Sequence, residues 1–162
     1  MLTNVYLTTN SVTFKKVITS GPDIGIQYQL KSSSTSNDVY AIICGRVDFT
    51  GEDLTRDLVL PSMIKDCQVI EIAEGAFDNN ELDSVFLPDG LTSIRENAFS
   101  NNTLHNVSFP DSIEFIAPGA FKNNPKLKGV LLPGHSFDSC AHGFDSHVDF
   151  QTPVCDSEPM LA

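Results

Sequence analysis

The chain has 162 residues, 41% of them apolar and 19% charged, the composition of a globular protein long enough to bury one core. Ten Lys and Arg against 21 Asp and Glu leave a net charge of −11, with a pI near 4.5 and a mean hydropathy of −0.05. That acidity disfavours phosphate backbones and anionic headgroups as partners, so no nucleic acid is expected. No apolar run approaches the roughly 20 residues of a spanning helix, so no membrane insertion is expected either.

The opening residues lack a basic stretch followed by an apolar one; on that pattern any export signal has been removed or never existed. Residues 1–10 are polar enough to be disordered. Residues 11–20, 25–30 and 39–47 read as short strands rich in β-branched residues, with 31–38 as a polar hairpin loop. Together 1–53 form an N-terminal flexible segment and a β cap, with Ile42, Ile43, Val47 and Phe49 plugging the end of a core.

From there a pattern repeats. The segments 69–80, 91–102 and 113–124 place Ala-Phe pairs at Ala76-Phe77, Ala98-Phe99 and Ala120-Phe121, spaced by 22 residues both times. Ile72, Ile94 and Ile116 stand five residues before each Phe, and Val69, Leu91 and Ile113 stand eight before. Asn79-Asn80, Asn101-Asn102 and Asn123-Asn124 follow. A second half-unit, Leu-x-x-Val-x-apolar-Pro, recurs at 81–90, 103–112 and 126–135, with a partial copy at 57–62. The copy at 57–62 is separated from its Phe by five extra residues within about 62–68, which must bulge out. About three and a half 22-residue units therefore fill 54–133.

The spacing dictates the geometry. Leu-x-x-Val-x-Leu points alternate side chains inward along a short parallel strand, which the donorless proline ends. The apolar-x-x-Ile piece makes a second strand on the opposite wall, and the Phe ring fills the interior between them. Paired asparagines suit a tight corner, because Asn tolerates the left-handed region and bonds its own backbone. One unit cannot cover its own apolar side, so units must stack about 4.8 Å apart. The expected fold is mainly β, a right-handed solenoid with an N-terminal β-hairpin cap and little room for long helices.

These residues resemble the BspA-like leucine-rich-repeat family, found in bacterial and protist surface proteins. The resemblance covers about half of the chain. It departs in the insertion before Val69, in the Asn124-Pro125 step and in the small number of units. It implies a secreted or cell-surface setting and adhesion-type recognition of a host or matrix protein.

The period is lost in 134–162, read as an irregular C-terminal cap or linker, with Phe137, Phe144, Val148 and Phe150 covering the last coil. His135, Cys140, His142, His147 and Cys155 are zinc-ligand types there, yet their spacing fits no finger or ribbon, so no metal is assigned. Gly134-His135-Ser136-Phe137-Asp138 lacks the last glycine and the following helix of a nucleophile elbow, so no catalytic residue is assigned. No phosphate-cradling glycine loop or calcium loop occurs, and no cofactor is expected. Cys44, Cys67, Cys140 and Cys155 fit no CxxC pattern; buried or free thiols are the simpler reading, with Cys140–Cys155 the best candidate bridge. Asn101 and Asn106 begin glycosylation sequons, which matter only in a host that glycosylates.

Surface remains. Outward strand positions should stack into three columns: Asp83, His105 and Lys128; Ser84, Asn106 and Gly129; Phe86, Ser108 and Leu131. Phe86 and Leu131 flanking a serine make an apolar patch among polar neighbours, a plausible contact site for a protein or glycan. The expected activity is a non-catalytic interaction module, monomeric, not an enzyme. The alternative is a structural spacer or a fragment of a larger multidomain surface protein with no ligand of its own.

Overall fold

The computed structural model describes residues 16–17, 25–36, 38–47, 56–133 and 141–151. Two sheets face each other across one core. The first holds β1 (Lys16–Val17), β2 (Ile26–Ser32), β3 (Val39–Arg46), β6 (Cys67–Ile72), β8 (Ser93–Ile94) and β10 (Phe115–Ile116) in that spatial order, with β5 (Met63–Ile64) off its path on β6. The second holds β12 (Asp149–Gln151), β11 (Gly129–Leu131), β9 (Asn106–Ser108), β7 (Ser84–Phe86) and β4 (Asp57–Val59). Strands β6, β8 and β10 pair in parallel, as do β4, β7, β9, β11 and β12. Successive repeats thus lie one above the next.

Both walls form because each half-unit exposes one apolar side. Ile72, Ile94 and Ile116 point inward from the first sheet, and Leu58, Val85, Val107 and Val130 from the second; all are buried. Between them Phe77, Phe99 and Phe121 stack with ring centroids 5.3 and 5.2 Å apart. Backbone bonds tie the same corner from coil to coil, from the Phe77 N–H to the Ala98 carbonyl and from the Phe99 N–H to the Ala120 carbonyl, both at 2.8 Å.

The two asparagines of each corner do different work. Asn79, Asn101 and Asn123 take the left-handed conformation, at φ 54°, 55° and 59°. In the second and third corners the second asparagine turns inward. Asn102 and Asn124 are buried, and Asn102 Oδ1 accepts the Asn80 and Leu82 N–H groups at 3.0 Å each. Its amide donates to the carbonyls of Phe77, Phe99 and Ser100 at 2.9–3.0 Å. Asn124 repeats the pattern toward Leu104, Phe99 and Phe121. The paired asparagines thus divide the corner between them: one bends the chain, and the other satisfies buried backbone groups that water cannot reach. At the first coil, Arg46 of β3 takes the free acceptor, its Nε donating to Asn80 Oδ1 at 3.0 Å and Nη2 to the Asn80 carbonyl at 3.2 Å.

Asp78 braces the outside of this corner. It accepts the Ser100 hydroxyl at 2.5 Å and the Asn101 amide at 2.8 Å, and these bonds, led by Ser100, hold its carboxyl below the usual range. The stability it contributes is present above the ordinary Asp value and is lost as pH falls through the depressed one. Melting curves from about pH 6 to about pH 2 are expected to show wild type more stable than Asp78→Asn at the upper end, with the difference vanishing at the lower. A constant difference across that range would show that the carboxylate plays no part.

Strands β2 and β3 form the expected antiparallel hairpin, and β3 pairs in parallel with β6. Ile42 and Ile43 are buried, whereas Val47 is half-buried and Phe49 lies outside the described residues. The extra residues before Val69 are not an unstructured bulge. Met63–Ile64 pair antiparallel with Gln68 and Cys67 through a two-residue turn, in which Lys65 and Asp66 have φ 52° and 61°. Two positive φ angles define the mirror-image turn whose twist matches a hairpin.

Of the C-terminal segment, residues 141–151 differ from the irregular cap expected of it. β12 pairs in parallel with β11, and Phe144 stacks on Phe121 at 4.9 Å and 5°. Gly143 occupies the alanine position, its carbonyl accepting the Phe121 N–H at 2.7 Å. A methyl group there would approach Ile116 Cγ2 to 2.5 Å, so Gly-Phe replaces Ala-Phe and hides the repeat. Val148 is buried and Phe150 packs on the core, as expected of a covering segment; Phe137 lies outside the described residues.

Candidate functional site

The outer face of the second sheet carries the candidate residues. Register aligns Asp57, Ser84 and Asn106 in one column and Val59, Phe86, Ser108 and Leu131 in another. Asp83 and His105 are joined by their backbones, the His105 N–H donating to the Asp83 carbonyl at 3.1 Å, and Lys128 follows on the strand beyond. All eight residues expected at the site, Asp83, Ser84, Phe86, His105, Asn106, Ser108, Lys128 and Leu131, therefore lie on this one face. Asp83 and Ser84 are half-buried and the other six are exposed.

The exposed apolar column is longer than the full repeats alone indicate. Val59 is 66% exposed beside Phe86 at 57%, and Leu131 is 52% exposed beyond the Ser108 gap. Val59 belongs to the partial copy at 57–62, whose Leu-Pro step was the available signal. Arg56, just before that copy, and Asp57 within it extend the polar columns, the Asp83 N–H donating to the Arg56 carbonyl at 2.8 Å.

The polar part is internally paired. Ser84 Oγ donates to Asp57 Oδ1 at 2.5 Å, and Thr103 Oγ1 to Asp83 Oδ1 at 2.6 Å. The Thr103 bond leads in holding the Asp83 carboxyl below the usual range, with Lys126, Arg56 and His105 adding charge. Lys126 and Arg56 stand 4.0 and 3.8 Å from Asp83, exposed pairs that organise the face more than they stabilise it. The apolar column has no such partner. On the opposite sheet the exposed Phe115 lies under Arg95, 5.9 Å from the ring centroid, and Arg95 in turn meets Glu71 at 2.6 Å. Among the described residues no cation covers Phe86 in that way.

Of the zinc-ligand types, His142 and His147 are exposed, and His135, Cys140 and Cys155 lie outside the described residues, as does the candidate bridge. Among the described residues no group of three His, Cys, Asp or Glu is placed to hold a metal. The Cys44 thiol donates to the Ile42 carbonyl at 3.7 Å and the Cys67 thiol to the Lys65 carbonyl at 3.4 Å. No helix among the described residues is long and apolar enough to cross a membrane.

Stacked coils of parallel strands, an internal phenylalanine column and an asparagine ladder define a leucine-rich repeat protein. The profile of the BspA type leucine-rich repeat region matches six copies over residues 51–146, more than half of the chain, and the chain belongs to that family. Among solved structures it is similar to a leucine-rich repeat protein of T. pallidum, at 23% identity and a TM-score of 0.46, over 77% of this chain and 61% of that one. It is also similar to the pneumococcal vaccine antigen PcpA, at 17% identity and a TM-score of 0.49, over 78% of this chain and 38% of that one. A leucine-rich repeat protein from Bacteroides ovatus ATCC 8483 shares 16% identity with a TM-score of 0.31, over 67% of this chain and 46% of that one. The chain thus spans less than two thirds of each of these proteins. No curated protein matches it by sequence.

Proposed function

We propose that this chain is a non-catalytic interaction module, secreted or at a cell surface, that binds a host or matrix protein or glycan through the outer face of its second sheet. Repeat solenoids commonly use the surface their stacked strands create, and family membership supports that use here. The single observation that carries the reading is the exposed column of Val59, Phe86 and Leu131 on an otherwise polar, internally paired sheet. The reading takes the coils as right-handed, the usual hand of strand crossovers, and the β2–β3 hairpin as their terminal cap. It takes the protein as a monomer.

The test presents purified protein to immobilised extracellular-matrix proteins and glycans, alongside a variant carrying Val59→Ser, Phe86→Ser and Leu131→Ser. A bound species lost at least tenfold in the variant is expected. Phe86→Ser alone should leave stability within about 0.5 kcal/mol of wild type, since its ring is not part of the core. A large loss of stability would mean that the outward column is misassigned. Binding that ignores all three substitutions, or no binding, would favour a spacer that holds neighbouring domains apart.

A further inference from the structure

A hollow of about 320 Å³ opens at the ends of β7 and β9, lined by Phe86, Phe109 and Pro110, by Ser108, and by Asp89 and Asp111. Its origin is local. Ser108 stands in the column between Phe86 and Leu131, so a small side chain leaves the space that a larger one would fill. Phe109 sits where two other coils carry Leu87 and Leu132, and its ring meets Phe121 and Phe144 edge-on at 5.6 and 5.9 Å. The Phe109 ring thus belongs to the buried core, and Phe86 is the exposed ring at the hollow.

Asp89 and Asp111 follow the prolines of consecutive coils, and both are exposed. Neither is used to cap its turn. The Gly90 N–H donates to Ser112 Oγ at 3.1 Å, and that hydroxyl donates to the Leu91 carbonyl at 2.8 Å. Among the described residues neither forms an ion pair, in contrast to Asp83 with Arg56 and Lys126 and to Glu71 with Arg95. Two carboxylates of like charge, one coil apart, thus border the hollow beside the exposed Phe86 without a counter-charge of their own.

We infer that this hollow receives a lysine or arginine side chain of a partner protein, from a segment that places the basic residue beside an apolar one. The inference rests on the protein-binding reading of the sheet and names the partner's chemistry. The basic stem lies along the exposed Phe86 ring while its charged head reaches Asp89 and Asp111, an arrangement suited to side chains with an apolar stem and a cationic tip. A neutral occupant would desolvate the carboxylates without compensation, and an anionic one meets both of them and a chain of net charge −11. The apolar neighbour of the basic residue covers the exposed part of Phe86.

The test selects a phage-displayed library of random linear peptides against the immobilised full chain and measures selected peptides by fluorescence polarisation. Selected peptides are expected to carry Lys or Arg next to an apolar residue and to bind less tightly as salt rises. Asp89→Asn with Asp111→Asn is expected to weaken them at least tenfold. Ser108→Leu, which fills the hollow and leaves the charge alone, should do the same while circular dichroism and melting stay as in wild type. Peptides without a basic residue that ignore these variants but are lost with Val59→Ser and Leu131→Ser would overturn the cation site and leave the sheet-face reading intact. Failure to select any peptide, or binding indifferent to every variant, would count against both. A dimer in sedimentation that Phe86→Ser dissociates would make the occupant a second copy and overturn the proposal, as would an oligosaccharide displacing the selected peptides.

Discussion

Phe99→Ala is expected to destabilise the protein by about 3–5 kcal/mol, the range for a fully buried Phe cut to Ala. Phe99 is 0% exposed and has a ring on each side, Phe77 at 5.3 Å and Phe121 at 5.2 Å, nearly parallel to both. Its removal opens a cavity in the middle of the column, where neither neighbour can shift without leaving its own coil. Denaturant unfolding of wild type and variant measures the loss. A loss below about 1 kcal/mol would mean that the ring column is not the core of the solenoid. Phe144→Ala should cost less, because that ring is half-buried and stacks on Phe121 from the other side.

The second large effect is expected at a polar residue. Asn102→Ala removes acceptance from two backbone N–H groups and donation to three carbonyls, all at 2.9–3.0 Å and in a buried corner. Each buried group left unpaired costs about 1–3 kcal/mol, so a total loss of at least about 3 kcal/mol is expected even if water enters and recovers part. Asn101→Ala provides the comparison. It places Ala at φ 55° and removes exposed bonds to Asp78 and Asn123, which together should cost about 1–2 kcal/mol. Adjacent, identical residues are thus expected to differ clearly in urea titrations. Equal losses would show that the asparagines act only as turn formers.

How far such roles were legible varies with what encodes them. The columns Asp83, His105, Lys128 and Phe86, Ser108, Leu131 follow from counting, because a 22-residue period and strand alternation together settle which side chains share a face. The inward Val85, Val107 and Val130 follow from the same arithmetic. The division of labour between Asn101 and Asn102 does not, since both are the same residue in the same motif and only the burial of one separates them. Counting does not bring Val59 into the Phe86 column, because its copy is incomplete. The coil through Phe144 was missed because contact with Ile116 excludes the alanine by which the other coils are recognised.

The insertion before Val69 marks another boundary. Its length is visible as five extra residues, but Lys65-Asp66 lacks the usual Asn-Gly or Asp-Gly signature of the turn it makes. Pairing of β5 with β6 offsets the cost of two left-handed residues, and β6 is held in place by its neighbours β3 and β8.

By itself the amino-acid order determined that units stack, which residues line the interior and which form outward columns, because hydrophobic period and chain geometry act through nearest neighbours alone. Tertiary structure alone decided which asparagine is buried, where Arg46 closes the ladder, that the C-terminal segment adds another rung, and that a serine between larger side chains leaves a hollow beside two uncompensated carboxylates. Those outcomes depend on distances between residues of different coils, and a repeat pattern specifies the stacking of coils without specifying what each gap between them will hold.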